Sequence, residues 1–120
     1  MSRLTTFDRI ISDRGSVYAV SGVPVASRAD IDAALAELKS IRRFAKATHN
    51  SWAARLGGEG LKADDGEGGA GAIILRMLES EGLDDHLIIV TRWYGGKHLG
   101  GDRFRHVIGA VRHYLAHQPV

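Results

Sequence analysis

The sequence predicts an α+β fold, a two-layer sandwich in the order β-β-α-β-α-β-α, with one sheet and its helices on a single face. Three observations lead to this prediction. Four short segments show alternating or β-branched apolar residues, which is typical of strands. Three longer segments carry apolar residues at spacings of three and four, which is typical of amphipathic helices. Strands and helices do not alternate throughout, which disfavours a doubly wound parallel sheet.

Length and composition predict an ordinary globular chain. With 120 residues, a single domain spanning residues 1–120 is expected. Hydrophobic residues make up 44% and charged residues 25%, and the absence of cysteine excludes disulfides and thiolate metal sites. No run has signal-peptide or membrane-spanning length, so a cytoplasmic protein without membrane contact is expected. The formal net charge of +2 does not by itself indicate a nucleic-acid partner.

The first two strands are predicted to form a β-hairpin. Phe7–Ser12 and Val17–Val25 have strand-like patterns, and the segment 13–16 between them reads Asp-Arg-Gly-Ser, a turn composition. Gly22 and Pro24 imply that the second strand frays or lies near an edge of the sheet.

A helix and a third strand follow. The helix is predicted over Ser27–Lys46, where the first residue is a good N-cap and Asp30 supplies an acidic variant of the capping box. The next segment, Ala47–Leu56, has the alternation of a strand. It contains His49 and Asn50, polar residues that fit either a solvent-facing strand end or a functional site.

An acidic, glycine-rich segment separates this strand from the next helix. Gly57–Gly71 is predicted as a long loop without secondary structure, followed by a helix over Ala70–Glu81. Asp64, Asp65 and Glu67 place three carboxylates within four residues. Such a cluster suits a divalent cation, but it lacks ordered ligand alternation, and helix capping is the simpler explanation. We therefore expect neither a metal nor a cofactor.

The C-terminal third contains the most distinctive pattern. A strand buried on both faces is predicted at Leu87–Tyr94, and a helix whose first residue is a good N-cap at Asp102–His117. The loop between them holds two glycine pairs, Gly95-Gly96 and Gly100-Gly101. A strand, a glycine-rich loop and a helix start together bring backbone N–H groups close to an anionic ligand. The charged side chains that add to this are Arg92, Lys97 and Arg103.

Three motifs in this order carry a family resemblance. They read T-H-N-S-W-A-A-R-L (48–56), D-D-G-E-x-G-A-G (64–71) and V-T-R-W-Y-G-G-x-x-L-G-x-D-R-F (90–104). Together they resemble the Impact family, which includes the bacterial YigZ proteins and a domain of the eukaryotic Impact proteins. The resemblance implies a fold like the second domain of ribosomal protein S5 and a link to translation regulation. Gly68 stands where the family commonly has proline, and His98 where it has a hydrophobic residue.

Two functions are therefore considered. The first is a non-catalytic binding module linked to translation regulation, acting on a ribosome-associated protein or an RNA of the translation machinery. The second is an enzyme or a small-anion binder, for a phosphate-type ligand, with one pocket formed by 48–50, 64–71 and 92–103. The first is favoured because no nucleophile signature is present. The residues expected to bind the ligand or partner are His49, Asn50, Asp64, Asp65, Glu67, Arg92, Tyr94, Gly95, Gly96, Lys97, Gly100 and Arg103.

A purely structural explanation remains open for the same residues. An internal carboxylate, that of Asp65 or Glu67, can pair with Arg92 in place of an external anionic ligand. The observation that separates these hypotheses is whether the three motifs meet in space. The oligomeric state is not predicted.

Overall fold

A computed structural model describes residues 3–118 of the chain. The described part contains five strands and four helices. Their bounds are β1 (Thr5–Asp13), β2 (Ser16–Pro24), α1 (Arg28–Lys39), α2 (Arg42–Ala45), β3 (His49–Leu56), β4 (Glu59–Ala63), α3 (Ala70–Ser80), β5 (His86–Trp93) and α4 (Asp102–His117). None of the helices in the described residues is both long and apolar enough to cross a membrane.

The strands form one antiparallel sheet in the order β1-β2-β5-β3-β4. β5 is central, and its burial on both faces confirms the prediction made from its apolar run. β2 lies near an edge of the sheet, as predicted, because only β1 is outside it, but Gly22 does not make it fray, since β2 pairs with both β1 and β5. Gly22 has a packing reason instead: a Cβ atom there would lie 2.1 Å from Cζ of Tyr114 on α4.

The mixed α and β class with an antiparallel sheet is confirmed, but the helices lie on both faces of the sheet. Leu87 and Ile89 of β5 pack in one apolar cluster with buried residues of α1 and α2. Ile88 and Val90, whose side chains point to the opposite face, pack in a second cluster with α3 and α4. The prediction of a single helical face is therefore corrected. Because Leu87–Val90 of β5 are apolar on both faces of the sheet, each face needs a helical cover.

The helix predicted over Ser27–Lys46 is interrupted. α1 ends at Lys39, and Ile41 has extended backbone before α2 begins. The Ser40 hydroxyl donates to the Glu37 carbonyl at 2.6 Å, which closes the end of α1. The predicted N-cap is confirmed, because the Asp30 N–H donates to Ser27 Oγ at 3.2 Å.

The acidic segment is also more ordered than predicted. The range 59–63, predicted as loop, is β4, and it pairs antiparallel with β3 after a turn in which Gly57 and Gly58 have positive φ. The backbone hydrogen bonds of β4 come from its pairing with β3. The five-residue pattern of β4 is too short to predict that pairing from the sequence. The bounds of α4 agree with the prediction, but Gly101 is its N-cap and the Asp102 carboxylate binds Arg14 instead.

Candidate functional site

The three motifs meet at one end of the sheet, where they line a cleft of about 380 Å³. Register explains the meeting, because Arg92 on β5 is paired with His49 on β3 and with Tyr18 on β2. Directly paired residues on neighbouring strands share a face of the sheet. The loops 64–69 and 95–101 close the remaining sides. The lining residues are Thr48, His49, Gly66, Glu67, Gly68, Arg92, Tyr94, His98, Leu99, Gly100 and Arg103.

A buried ion pair forms the floor of this cleft. Arg92 Nη1 donates to both carboxylate oxygens of Glu67 at 3.0 Å, and each side chain is only 6% exposed. Arg92 Nη2 lies 3.4 Å from the Ser16 hydroxyl oxygen. Charge-assisted bonds of this kind are about twice as strong as neutral ones. The pairing of Arg92 with an internal carboxylate is therefore present in the structure: the buried arginine of the cleft already has Glu67 as its counter-ion.

The Arg92 guanidinium is also enclosed by aromatic rings. Its Cζ atom lies 5.7 Å from the ring centroid of Tyr18 and 5.8 Å from that of Tyr94, within the range of cation–π contacts. Burial raises the pKa of Tyr18 to about 12, so the phenol is protonated. Within residues 3–118, Arg92 Nε and the Tyr18 hydroxyl are buried without a hydrogen-bond partner.

His49 is held in one orientation at the wall of the cleft. Its Nδ1 atom lies 2.8 Å from the Asp65 carbonyl oxygen, and because a carbonyl only accepts, Nδ1 carries the hydrogen. The Nε2 atom then faces Glu67 Oε2 at 3.6 Å. The side chain is 20% exposed. His49 Nε2 therefore lies beside the Glu67 carboxylate at the wall of the cleft.

Three predicted site residues hold the fold around the cleft. The Asp64 carboxylate accepts the N–H groups of Gly69 and Gly71 at 3.1 and 2.8 Å, which caps α3. These two N–H groups hold the pKa of Asp64 below its ordinary value. The Asp65 carboxylate accepts the backbone N–H of Asn50 at 2.7 Å. The Asn50 side chain is buried and bonded to core neighbours.

The acidic cluster and the histidines of α4 do not assemble a metal site. Among the described residues, no group of three His, Cys, Asp or Glu side chains is placed to hold a metal ion. The i, i+4 pair His113 and His117 stacks ring on ring at 4.3 Å, and His117 Nδ1 bonds the His113 carbonyl oxygen at 2.7 Å.

The glycine-rich loop is fixed to the rest of the chain at both of its ends. Gly95 lies against the β1–β2 turn, where a Cβ atom would lie 2.0 Å from the Gly15 carbonyl carbon. At the start of α4, the Arg103 N–H bonds the Gly100 carbonyl, and its side chain donates to the same oxygen at 3.1 Å. The Gly95 N–H donates to the Ser16 hydroxyl at 3.3 Å, so this donor of the backbone cradle expected from the sequence is occupied. Gly96 and Lys97 are exposed and lie outside the cleft lining.

A family model described as "Impact N-terminal domain" matches residues 14–115. The chain belongs to the Impact N-terminal domain family. "Protein IMPACT homolog" of Caenorhabditis elegans is 36% identical over 115 residues, covering 89% of this chain and 45% of that protein. "Protein IMPACT" of Homo sapiens is 34% identical over 111 residues, covering 88% and 35%. The chain spans less than half the length of both relatives.

Solved structures agree with this assignment to the Impact N-terminal domain family. A crystal structure of a hypothetical protein superposes with a TM-score of 0.82 at 23% identity, covering 96% of this chain and 60% of that one, which supports the fold alone. The two-domain translational regulator Yih1 superposes with a TM-score of 0.52 at 30% identity, covering 88% of this chain and 43% of that one.

In this Impact N-terminal domain, the predicted binding residues omit three side chains that hold the cleft together, although the predicted segment 48–50 contains one of them, Thr48. Thr48 Oγ1 accepts the Tyr94 N–H at 2.8 Å and joins β3 to the loop after β5. Ser16 Oγ receives both Arg92 and the Gly95 N–H, the latter at 3.3 Å. The D-R-G-S motif (13–16) was the available signal for Ser16. No sequence pattern marked Tyr18, because its contact with the Arg92 guanidinium results only from the pairing of β2 with β5.

Proposed function

We propose that this chain is a non-catalytic binding module linked to translation regulation, and that it binds a protein of the translation machinery through the rim of the cleft. Membership of the Impact N-terminal domain family supports the link, together with the likeness to Yih1, which is described as a translational regulator. Because this chain spans less than half of each of those relatives, its own link to translation regulation is part of the proposal.

The observation that carries the proposal is the internal neutralisation of Arg92 by Glu67. A vacant anion clamp would keep its guanidinium free for the ligand, whereas this one is already bound to two carboxylate oxygens. The groups left for a partner are on the rim. Tyr94 is 42% exposed and lies beside His98, with ring centroids 5.7 Å apart, and Lys97 is exposed next to them. Tyrosine is enriched at protein interfaces, and a lysine beside it is complementary to an acidic partner surface.

A protein partner is favoured over RNA. The formal net charge is only +2, which gives a weak counter-ion contribution to polyanion binding. Tyr94 is the exposed aromatic residue of the rim, whereas single-stranded RNA is normally held by several stacking rings. A small positive rim around one tyrosine suits an acidic patch on a protein better.

A comparison of two matched double variants tests the proposal. Tyr94→Ala with Lys97→Ala removes the exposed ring and cation of the rim, while Ile41→Ala with Lys39→Ala removes a 51% exposed hydrophobic residue and a cation near α2. Ribosome-associated proteins are captured from nuclease-treated lysate and quantified by mass spectrometry. We expect the rim variant to lose them and the control to retain them, with both variants unfolding at the wild-type temperature.

Two results would count against this proposal. Equal recovery of translation proteins by both variants would remove the rim from the interaction. Loss of recovery after nuclease treatment, with affinity that falls steeply as salt rises, would instead indicate RNA.

A second candidate is an enzyme or a small-anion binder, and the fixed orientation of His49 favours it. His49 Nδ1 is bonded to the Asp65 carbonyl oxygen, and His49 lines the same cleft as Arg103. A titration with inorganic phosphate, followed by NMR, tests this candidate. Saturating shifts of His49 and Arg103 resonances that disappear in Arg103→Gln, but not in Lys39→Gln, would support it. A titration without saturation would reject it.

A further inference from the structure

A second depression lies at the opposite end of the sheet from the cleft. It is an apolar groove of about 390 Å³ between the end of β2 and α1. Pro24 of β2 pairs with His86 at this end of β5, and Tyr18 pairs with Arg92 at the cleft end, six residues away. At ~3.4 Å per residue, the two sites are roughly 20 Å apart along the sheet. The apolar lining residues include Leu4, Val23, Pro24, Val25, Ala33 and Ala34.

The rim of this groove is acidic. Asp30, Glu37 and Asp85 line it, whereas no Lys, Arg or His of the described residues does. The Asp30 carboxylate accepts the Ala26 N–H at 2.8 Å, and the Asp85 carboxylate accepts the Gly57 N–H at 3.0 Å. Both donors are uncharged, so neither carboxylate is neutralised. Within residues 3–118, none of the three carboxylates has a cationic nitrogen within salt-bridge distance.

We infer that this groove binds an extended segment of a partner protein that carries aliphatic side chains flanked by Lys or Arg. The apolar floor gains free energy only from an apolar occupant, at about 25 cal/mol per Å² removed from water. Three carboxylates without cations repel nucleic acid and acidic peptides and attract a basic segment. Lys and Arg suit both parts, because their aliphatic stems lie on apolar surface while their charges reach the rim.

The groove also has suitable dimensions for such an occupant. Its volume falls within the range of about 300–1,000 Å³ that is common for binding sites. Val23, Val25 and Ala34 are nearly fully buried and give it a firm floor, while Pro24 and Ala33 are exposed along its sides. This surface is separate from the rim of the cleft, so it goes beyond the proposed function and can fail without it.

Fluorescence anisotropy with a labelled peptide of alternating lysine and valine tests the inference, and the matching glutamate–valine peptide is the negative probe. We expect the lysine peptide alone to bind. Glu37→Lys should weaken binding about ten-fold, because a rim carboxylate becomes a repelling charge. Glu79→Lys makes the same change on α3, away from the groove, and should leave binding within about two-fold of wild type.

A steric pair separates groove binding from general charge attraction. Ala33→Met projects into the groove and should also weaken the binding of the lysine peptide, whereas Ala36→Met, at an exposed position of α1 outside the groove lining, should not. Both are substitutions to a good helix former, so the fold is preserved. Amide shifts on peptide addition should include Val23, Val25 and Ala34.

Three outcomes would overturn the inference. The first is equal binding of the two peptides, and the second is equal weakening by Glu37→Lys and Glu79→Lys. The third is concentration-dependent self-association that Glu37→Lys and Ile41→Ser both abolish. Ile41 is exposed and is followed by Arg42, so a second copy of this chain would then be the occupant.

Discussion

The ion pair between Arg92 and Glu67 is predicted to be a structural element of the fold, and Glu67→Gln tests this. The substitution keeps the size of the side chain but removes the negative charge, and it turns an amide N–H₂ toward Arg92 Nη1. Both 3.0 Å bonds from that nitrogen are changed. The guanidinium, only 6% exposed, then lacks a counter-ion in a site from which water is largely excluded.

The expected cost follows from that burial. Removing one partner of a buried pair destabilises a protein by about 3–5 kcal/mol, because the remaining charge is uncompensated. Whole domains of this size are stable by only about 5–15 kcal/mol. The midpoint of thermal unfolding should therefore fall by roughly 10–20 °C. Asp32→Asn, which breaks the exposed Arg28–Asp32 pair, is the control and should cost less than about 0.5 kcal/mol.

Urea unfolding of four proteins measures the coupling directly. The free energy of unfolding is compared for wild type, Glu67→Leu, Arg92→Met and the double variant. Glu67→Leu leaves the buried Arg92 charge without a counter-ion, and Arg92→Met leaves the buried Glu67 charge without one. The double change removes both charges. We expect the double variant to lose at least about 2 kcal/mol less than the sum of the two single variants.

A small effect would refute this reasoning. If Glu67→Gln lowers the free energy of unfolding by less than about 1 kcal/mol, the pair is not holding the cleft together. Arg92 would then be available to an anionic ligand, and the small-anion hypothesis would become the stronger one.

Three further predictions concern packing and pH. Gly22→Ala should cost about 1–3 kcal/mol in urea unfolding, because its Cβ would overlap the Tyr114 ring, while Gly68→Ala, with no heavy atom within 4 Å, should cost less than about 0.5 kcal/mol. The Arg14 hydrogen bond lowers the pKa of Asp13 from 3.8 to about 2. The stabilisation that the Asp13 carboxylate contributes is therefore present above pH 3.8 and is lost as pH falls toward 2. Asp13→Asn should consequently show a shallower decline of Tm over that range. Burial lowers the pKa of His86 below 6.5, so its protonation opposes folding as pH falls below 6.5, and an NMR titration should place its midpoint under that value.

Local signals in the sequence predicted several elements well. The central strand was recognisable because it contains the apolar, β-branched run Leu87–Thr91, and α4 because its apolar residues repeat at helical spacing. The cap of α1 was found because Ser27 and Asp30 are three residues apart and act within one turn. In the site, six of the predicted binding residues line the cleft: His49, Glu67, Arg92, Tyr94, Gly100 and Arg103.

Contacts between distant segments were decided only by the tertiary structure. β4 is too short to be recognised alone and exists because β3 supplies its hydrogen bonds. The apolar run of β5 requires cover on both faces of the sheet, but the path of the connections decides which helices cover which face. Arg92 had two candidate partners two residues apart, and the fold selected Glu67, while Asp65 turned to the backbone of Asn50. Periodicity and capping act within a few residues, whereas counter-ion choice and orphaned groups such as Tyr18 Oη depend on packing across the whole sheet.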